Sequence, residues 1–161
     1  VPRLRDALTE KGIEPVDTLL RMYEQSVGRN CTFVVGAVID PKGRLPEPDA
    51  ARLAEFGRAV QARYGRETAR GAGDGDSIEV RLPKPARVER VSIAEDIANG
   101  ERIREYRVDG HVGADTWKPL AAGQSVGHRR LHAFDPVELA AVRIVVARAR
   151  GTPRIRRLAV Y

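Results

Sequence analysis

The sequence predicts a mixed chain in which a helix-strand-helix segment of α/β type precedes an antiparallel β-sandwich. Three observations carry this. Before residue 66, apolar residues recur twice at helical spacing and flank one continuous apolar run. After residue 76, short β-branched runs are punctuated by Pro, Gly and Asp about every ten residues, the all-β pattern. Between the two styles lies a small, polar, glycine-rich stretch from Arg66 to Asp76 that reads as a linker. The expected division is residues 1–66, a linker at 67–76, and a sandwich domain at 77–161.

Val16, Leu19, Leu20, Tyr23 and Val27 share one face of a helix that ends at Gly28, where a left-handed cap is cheap. Residues Cys31 to Ile39 form a nearly continuous apolar run, the pattern of a strand buried on both faces of a parallel sheet. Asp40-Pro-Lys-Gly43 turns the chain. From Pro48, Ala51, Leu53, Ala54, Phe56, Ala59 and Val60 mark a second amphipathic helix reaching Gly65. Helix, buried strand, helix is the repeating unit of an α/β barrel, and one strand cannot make a sheet. Residues 1–66 are therefore expected to be the tail of a larger domain. Seven strands follow, at Ser77 to Leu82, Arg87 to Glu95, Glu101 to Asp109, Trp117 to Ala121, Ser125 to Phe134, Ala140 to Ala147 and Pro153 to Tyr161. Val142, Ile144 and Val146 alternate with Arg143, which gives one buried face and one wet face.

Composition narrows the function classes. No apolar run approaches the roughly 20 residues of a membrane helix, so no membrane span is expected. The single cysteine, Cys31, can neither close an internal disulfide nor supply a thiolate zinc site. With Val1 first and Met22 the only methionine, the 161-residue chain is expected to be processed or truncated. The net charge of +6 comes almost wholly from arginine, since only four of the 28 basic residues are lysine. Those arginines are interleaved with 22 acids, and aromatics are 5%, too few to stack many bases, so nucleic acid is not an expected partner. The tract Arg148, Arg150, Arg154, Arg156 and Arg157 reads as a solvated edge strand with its turn.

No motif for chemistry is complete. Glu47 and Asp49 flank Pro48 at a helix start, where negative charge suits the dipole. Asp74 and Asp76 lack an EF-hand's glycine and distal glutamate, and Gly71 to Gly75 lacks the phosphate-loop spacing. Glu95 and Asp96 end a strand and begin a turn. His111, His128 and His132 lack metal-ligand spacing, so no metal is expected. Trp117 follows the turn Gly113-Ala-Asp115; it either packs between sheets or stacks on a sugar ring.

Two groups of segments resemble one family. Ser26-Val-Gly-Arg-Asn30, the apolar run after it, Asp40-Pro-Lys-Gly43 and Leu45-Pro-Glu-Pro-Asp-Ala-Ala-Arg-Leu-Ala-Glu-Phe-Gly57 resemble the end of the catalytic barrel in the α-L-fucosidases of glycoside hydrolase family 29. Residues 91–103, Gly123-Gln-Ser-Val-Gly-His-Arg-Arg130 and the closing residues 153–161 resemble the C-terminal β-sandwich of the same enzymes, a module similar to galactose-binding or discoidin-like domains. The resemblance covers about residues 15–161.

It implies that residues 1–66 are the C-terminal remnant of a (β/α)8 barrel. Gly36, Ala37 and Asp40 then face the substrate side, Gly36 standing where members often have asparagine. It also implies a retaining mechanism without cofactor: an aspartate nucleophile and a carboxylic acid, both expected upstream of residue 1, so no catalytic residue is assigned here. The implied partners are a fucosylated glycan and the missing N-terminal part of the barrel, and the implied setting is outside the cytoplasm. Within the sandwich, Trp117, His128 and Arg129 are the carbohydrate-binding candidates. The alternative is a noncatalytic carbohydrate-binding module. The two separate on whether the apolar faces of Val16 to Val27 and Ala51 to Val60 are covered: a barrel remnant leaves a large exposed apolar patch there, and an adaptor buries them.

Overall fold

Helix α1 (Val16–Ser26) begins on the carbonyl of Pro15, which accepts from the N–H groups of Thr18 and Leu19 at 3.0 Å. The computed structural model describes residues 14–161; residues 1–13 of the expected first domain lie outside the described residues. Leu19 and Leu20 are buried, so α1 buries the face its periodicity marked. Gly28 does not adopt the expected left-handed cap; the left-handed residue is Asn30, with φ of 67°. Gly28 serves close approach instead. Its carbonyl accepts from the N–H of Leu131 at 2.8 Å, and an added Cβ would lie 2.9 Å from Leu131 Cβ.

Residues 31–39 are not the buried strand their sequence predicts. They belong to no helix or strand, and Val34, Val38 and Ile39 are 80%, 74% and 63% exposed. A run apolar on both faces is buried only when sheet neighbours flank it, and among the described residues no strand pairs with this one. Helix α2 (Glu47–Tyr64) follows, with Pro48 in its first turn and Glu47 and Asp49 at its positive end. Phe56 is the contact that joins the segment: Tyr23 of α1 and Phe33 meet it edge-on at 6.1 and 6.0 Å.

The rest is one antiparallel sheet of six strands: β1 (Ala69–Asp74), β2 (Ser77–Glu95), β3 (Ile103–Gly113), β4 (Thr116–Gly123), β5 (Arg130–Ala149) and β6 (Arg154–Val160). Their order is β1-β6-β2-β5-β3-β4. The expected linker therefore contains an edge strand, β1, paired with β6. Two pairs of expected strands are single long strands, β2 and β5. Pro83, Pro85 and Pro136 fall where their register shifts, so their missing N–H groups break no regular ladder. The arginine-rich end is not an edge either, because β6 lies between β1 and β2. Arg154 there meets Asp74 at 3.7 Å, and Arg157 meets Glu67.

The long, bulged strands let the sheet roll until β1 lies over the first half of β2. At Gly71 an added Cβ would stand 2.6 Å from Val80 Cγ2, and at Gly73 it would stand 3.3 Å from Ile78 Cγ1. The glycines that looked like linker residues are thus what allows the two layers to close. Between the layers lie Ile78, Val80, Val91, Ile93, Val108, Leu139, Val142, Ile144, Leu158 and Val160. Each such side chain stabilises the fold by about 1.5–3 kcal/mol.

Candidate functional site

The helical segment is clamped to the sheet by charge and aromatic rings. Glu24 Oε1 accepts from the Tyr64 hydroxyl at 2.7 Å and from Arg63 Nη1 at 3.1 Å, with Arg90 Nε of β2 3.8 Å away. Burial first, and the Glu24 carboxylate second, push the Tyr64 hydroxyl pKa well above its ordinary value. The Tyr64 ring meets Tyr161, the last residue, edge-on at 5.4 Å. Beside it, Asn30 Oδ1 accepts from the N–H of His128 at 2.8 Å while Asn30 Nδ2 donates to Glu101 Oε1 at 3.1 Å.

The chain runs from Asn30 of this clamp into the loop expected to face the substrate side. Gly36 and Ala37 are exposed, and nothing lies within 4 Å of where a Cβ on Gly36 would stand. Asp40 shapes the turn: its Oδ1 accepts from the backbone N–H groups of Arg44 and Lys42, both at 2.8 Å, and its Oδ2 from Arg44 Nε at 3.1 Å. The Arg44 N–H leads the groups that hold its carboxyl below the ordinary value. A carboxylate so held stays ionised and is a poor proton donor. Next to this loop, Glu14, Leu19, Met22, Phe33, Val34, Val35 and Gly36 line a cavity of about 280 Å³.

The three carbohydrate-binding candidates do not converge. His128 and Arg129 lie at the clamp, where Arg129 Nη1 donates to the Tyr23 hydroxyl at 3.1 Å and its guanidinium stands 5.9 Å from that ring centre. They share a cavity with Ser92, Ala94, Arg156 and Arg157. Trp117 lies on β4, lining a different cavity. Arg143 covers one of its faces at 4.1 Å and His111 meets it at 5.1 Å.

Two polar pairings have no counterpart in the sequence pattern. Asp109, 3% exposed, is bound by Arg107 Nε at 3.1 Å and Arg143 Nη2 at 3.0 Å. His132 Nε2 shares a 2.8 Å hydrogen bond with the Tyr106 hydroxyl. Burial, then the charge of Arg130, lowers the His132 pKa to about 4, and burial raises that of Tyr106 to about 12. Strand alternation marks Tyr106 as inward-facing, but the pairing of β3 and β2 with β5 that assembles these groups has no local signal. Among the described residues no group of three or more His, Cys, Asp or Glu side chains gathers as a metal ion requires, and Cys31 is exposed and free.

The class this architecture defines is an antiparallel β-sheet domain carrying a two-helix bracket. No protein-family model matches the chain. Arabidopsis thaliana α-L-fucosidase 1 is 28% identical to it over 184 residues, covering 92% of this chain and 36% of that protein. A Bacteroides thetaiotaomicron crystal structure assigned as an α-L-fucosidase is 40% identical, with a TM-score of 0.89 over 92% of this chain and 34% of that one. The family 29 fucosidase of Ruminococcus gnavus, solved in complex with fucose, shares the fold at 23% identity and a TM-score of 0.83, over 93% of this chain and 37% of its own. The homologues of this chain are α-L-fucosidases of glycoside hydrolase family 29, and it corresponds to their C-terminal portion, about a third of their length.

Proposed function

We propose that this chain is the C-terminal part of a retaining α-L-fucosidase, in which residues up to 66 complete a (β/α)8 barrel and the rolled sheet, of the galactose-binding or discoidin-like type, braces it. The observation that carries this reading is the open apolar surface of residues 31–39. Val34, Val38 and Ile39 are exposed in a run whose composition suits a strand between two neighbours. Met22 beside it is 41% exposed, whereas the helix faces around Tyr23 and Phe56 are largely occupied with each other. Covered helix faces are what the binding-module alternative expects, so the barrel reading rests on the 31–39 run, which stays open.

In this arrangement Cys31 to Gly36 is the barrel's last strand. Gly36, Ala37 and Asp40 lie at its C-terminal end, the end at which barrel enzymes build their active sites. The reacting carboxylates come from the preceding part of the barrel. One attacks the anomeric carbon while the other protonates the departing glycosidic oxygen; water then cleaves the glycosyl-enzyme ester, and the net products are fucose and the free alcohol. Neither step requires a cofactor. What this chain supplies is the floor and rim of the barrel and a rigid clamp through Glu24, Tyr64 and Asn30.

The test is hydrolysis of p-nitrophenyl α-L-fucoside. The polypeptide in which this chain follows the rest of a barrel should release fucose, and the 161-residue chain alone should release none above buffer. A folded longer polypeptide without hydrolysis, or hydrolysis by the 161-residue chain itself, overturns the proposal.

A further inference from the structure

We infer that the outer face of the sheet at the β3–β4 hairpin is a binding site for a single pyranose unit of a glycan, built around Trp117 and remote from the helical clamp. The site is a product of register. Arg81 of β2 opposes Ala141 of β5, Ala141 opposes His111 of β3, and His111 opposes Trp117 of β4. Four strands therefore present one transverse row on one face. Ala141 is the small member of that row, so the row has a notch in its middle. The notch is a cavity of about 280 Å³ whose walls are Glu79, Arg81, His111, Asp115 and Trp117.

Size and chemistry select the ligand. The volume of about 280 Å³ lies just below the ordinary range of ligand sites, roughly 300–1,000 Å³, and so suits a single sugar ring. Apart from the alanine floor, the wall residues named are charged, aromatic or imidazole groups, with both acceptors and donors in one ring. Adjacent hydroxyls of a pyranose need such a mixture, because each donates one hydrogen bond and accepts others. Trp117 is fixed before any ligand arrives: Arg143 covers one face of the indole at 4.1 Å, and Arg143 is itself tied to buried Asp109 at 3.0 Å. Trp117 lines the notch together with His111, which meets its ring edge-on at 5.1 Å, and the indole is the aromatic surface there on which the C–H face of a sugar ring can stack. Arg81 and Glu79 pair at 2.9 Å at the mouth, with the Arg81 side chain 86% exposed. That pair can open toward hydroxyls at little cost, as exposed ion pairs contribute little. An anion alone would find two carboxylates in the wall, and an apolar ligand would gain nothing from the charged and imidazole groups around it.

This inference does not rest on the fucosidase reading. Trp117 is the only tryptophan of the chain, so its fluorescence reports on this site alone. The 161-residue chain is titrated with L-fucose, D-galactose and D-glucose, with sodium chloride and sodium acetate as ionic controls. A saturable change with at least one sugar, at millimolar concentration, is expected. Arg81→Ala should weaken it about tenfold, as for loss of one charge-assisted hydrogen bond, and the exposed Arg81 cannot unfold the chain when replaced. His111→Gln should weaken it less, and Lys84→Ala should leave it unchanged. No saturable change with any of the three sugars up to about 100 mM, the same change with the salts, or equal affinity in the Arg81→Ala variant overturns the inference. Fucoside hydrolysis by the longer polypeptide is unaffected by any of these outcomes, so the two proposals fail separately.

Discussion

The side-chain oxygen of Asn30 accepts a 2.8 Å hydrogen bond from the backbone N–H of His128, across 98 residues of chain. Asn30 also holds a left-handed backbone at φ of 67°, which asparagine tolerates better than most residues. One residue thus turns the chain out of α1 and fastens that turn to the segment before β5. Asn30→Gly should lower unfolding stability by about 1 kcal/mol through the lost side-chain bonds. Asn30→Ala should cost about 2 kcal/mol, because it adds the left-handed penalty. Denaturant midpoints of the two variants check this; equal losses would show that the backbone conformation contributes nothing.

The Tyr64 hydroxyl and the Glu24 carboxylate make the second fastening, at 2.7 Å. Tyr64→Phe keeps the ring on Tyr161 and removes only that bond, leaving Glu24 with Arg63 and Arg90. A loss of about 2 kcal/mol is expected in chemical denaturation, as for hydrogen bonds to charged groups. Tyr64 should also resist ionisation in a spectrophotometric alkaline titration, since burial and Glu24 both raise its pKa. Its signal should be missing from the first phenolate transition in the native chain and return on unfolding.

Gly71 and Val80 define how closely β1 approaches β2. With 2.6 Å between an added Cβ and Val80 Cγ2, Gly71→Ala overpacks the layer and should cost about 1–3 kcal/mol. In the double variant Gly71→Ala/Val80→Ala the clash is gone, so the combined loss should be smaller than the sum of the two single losses. Thermal unfolding of the four-member cycle measures the coupling. Ala72→Ser, at an exposed neighbouring position, is the control and should change little.

His132 gives the chain a pH-dependent stability. Burial and Arg130 lower its native pKa to about 4 from the ordinary 6.5, so between these values the unfolded state binds the proton more readily. The contribution is fully present above pH 6.5 and is lost as the pH falls toward 4, on the order of 3 kcal/mol in all. His132→Gln, which can still pair with the Tyr106 hydroxyl, should flatten this part of the Tm-versus-pH curve. An unchanged slope in the variant would assign the acid sensitivity to another group.

Much of the sheet was legible in the sequence because it is written in local alternation. Val142, Ile144 and Val146 point inward and Arg143 outward, as a period of two requires. What was not legible depends on residues far apart in the chain. Pro83, Pro85 and Pro136 suggested strand ends, yet they sit at register shifts inside β2 and β5. Gly71 and Gly73 suggested a linker, because the Val80 and Ile78 side chains that require them lie in another strand. The apolar run from Cys31 to Ile39 suggested a buried strand; such a pattern calls for sheet neighbours on both sides, and among the described residues no strand pairs with it. Trp117 was visible as a candidate, whereas Glu79, Arg81 and Asp115 join it only through the pairing of four strands. Nothing in their local sequence marks that row.

Amide hydrogen exchange of residues 31–39 tests the central claim most directly, because a barrel strand must have its backbone groups paired. Apart from Cys31, whose N–H donates to the Ser26 carbonyl at 2.9 Å, these amides should exchange nearly unprotected in the 161-residue chain while β2 and β5 remain protected. In the longer polypeptide with its barrel complete, the amides from Cys31 to Gly36 should become protected to the level of the other barrel strands. Protection already present in the 161-residue chain, or its absence in a longer polypeptide that hydrolyses fucosides, would contradict the placement of this segment in the barrel.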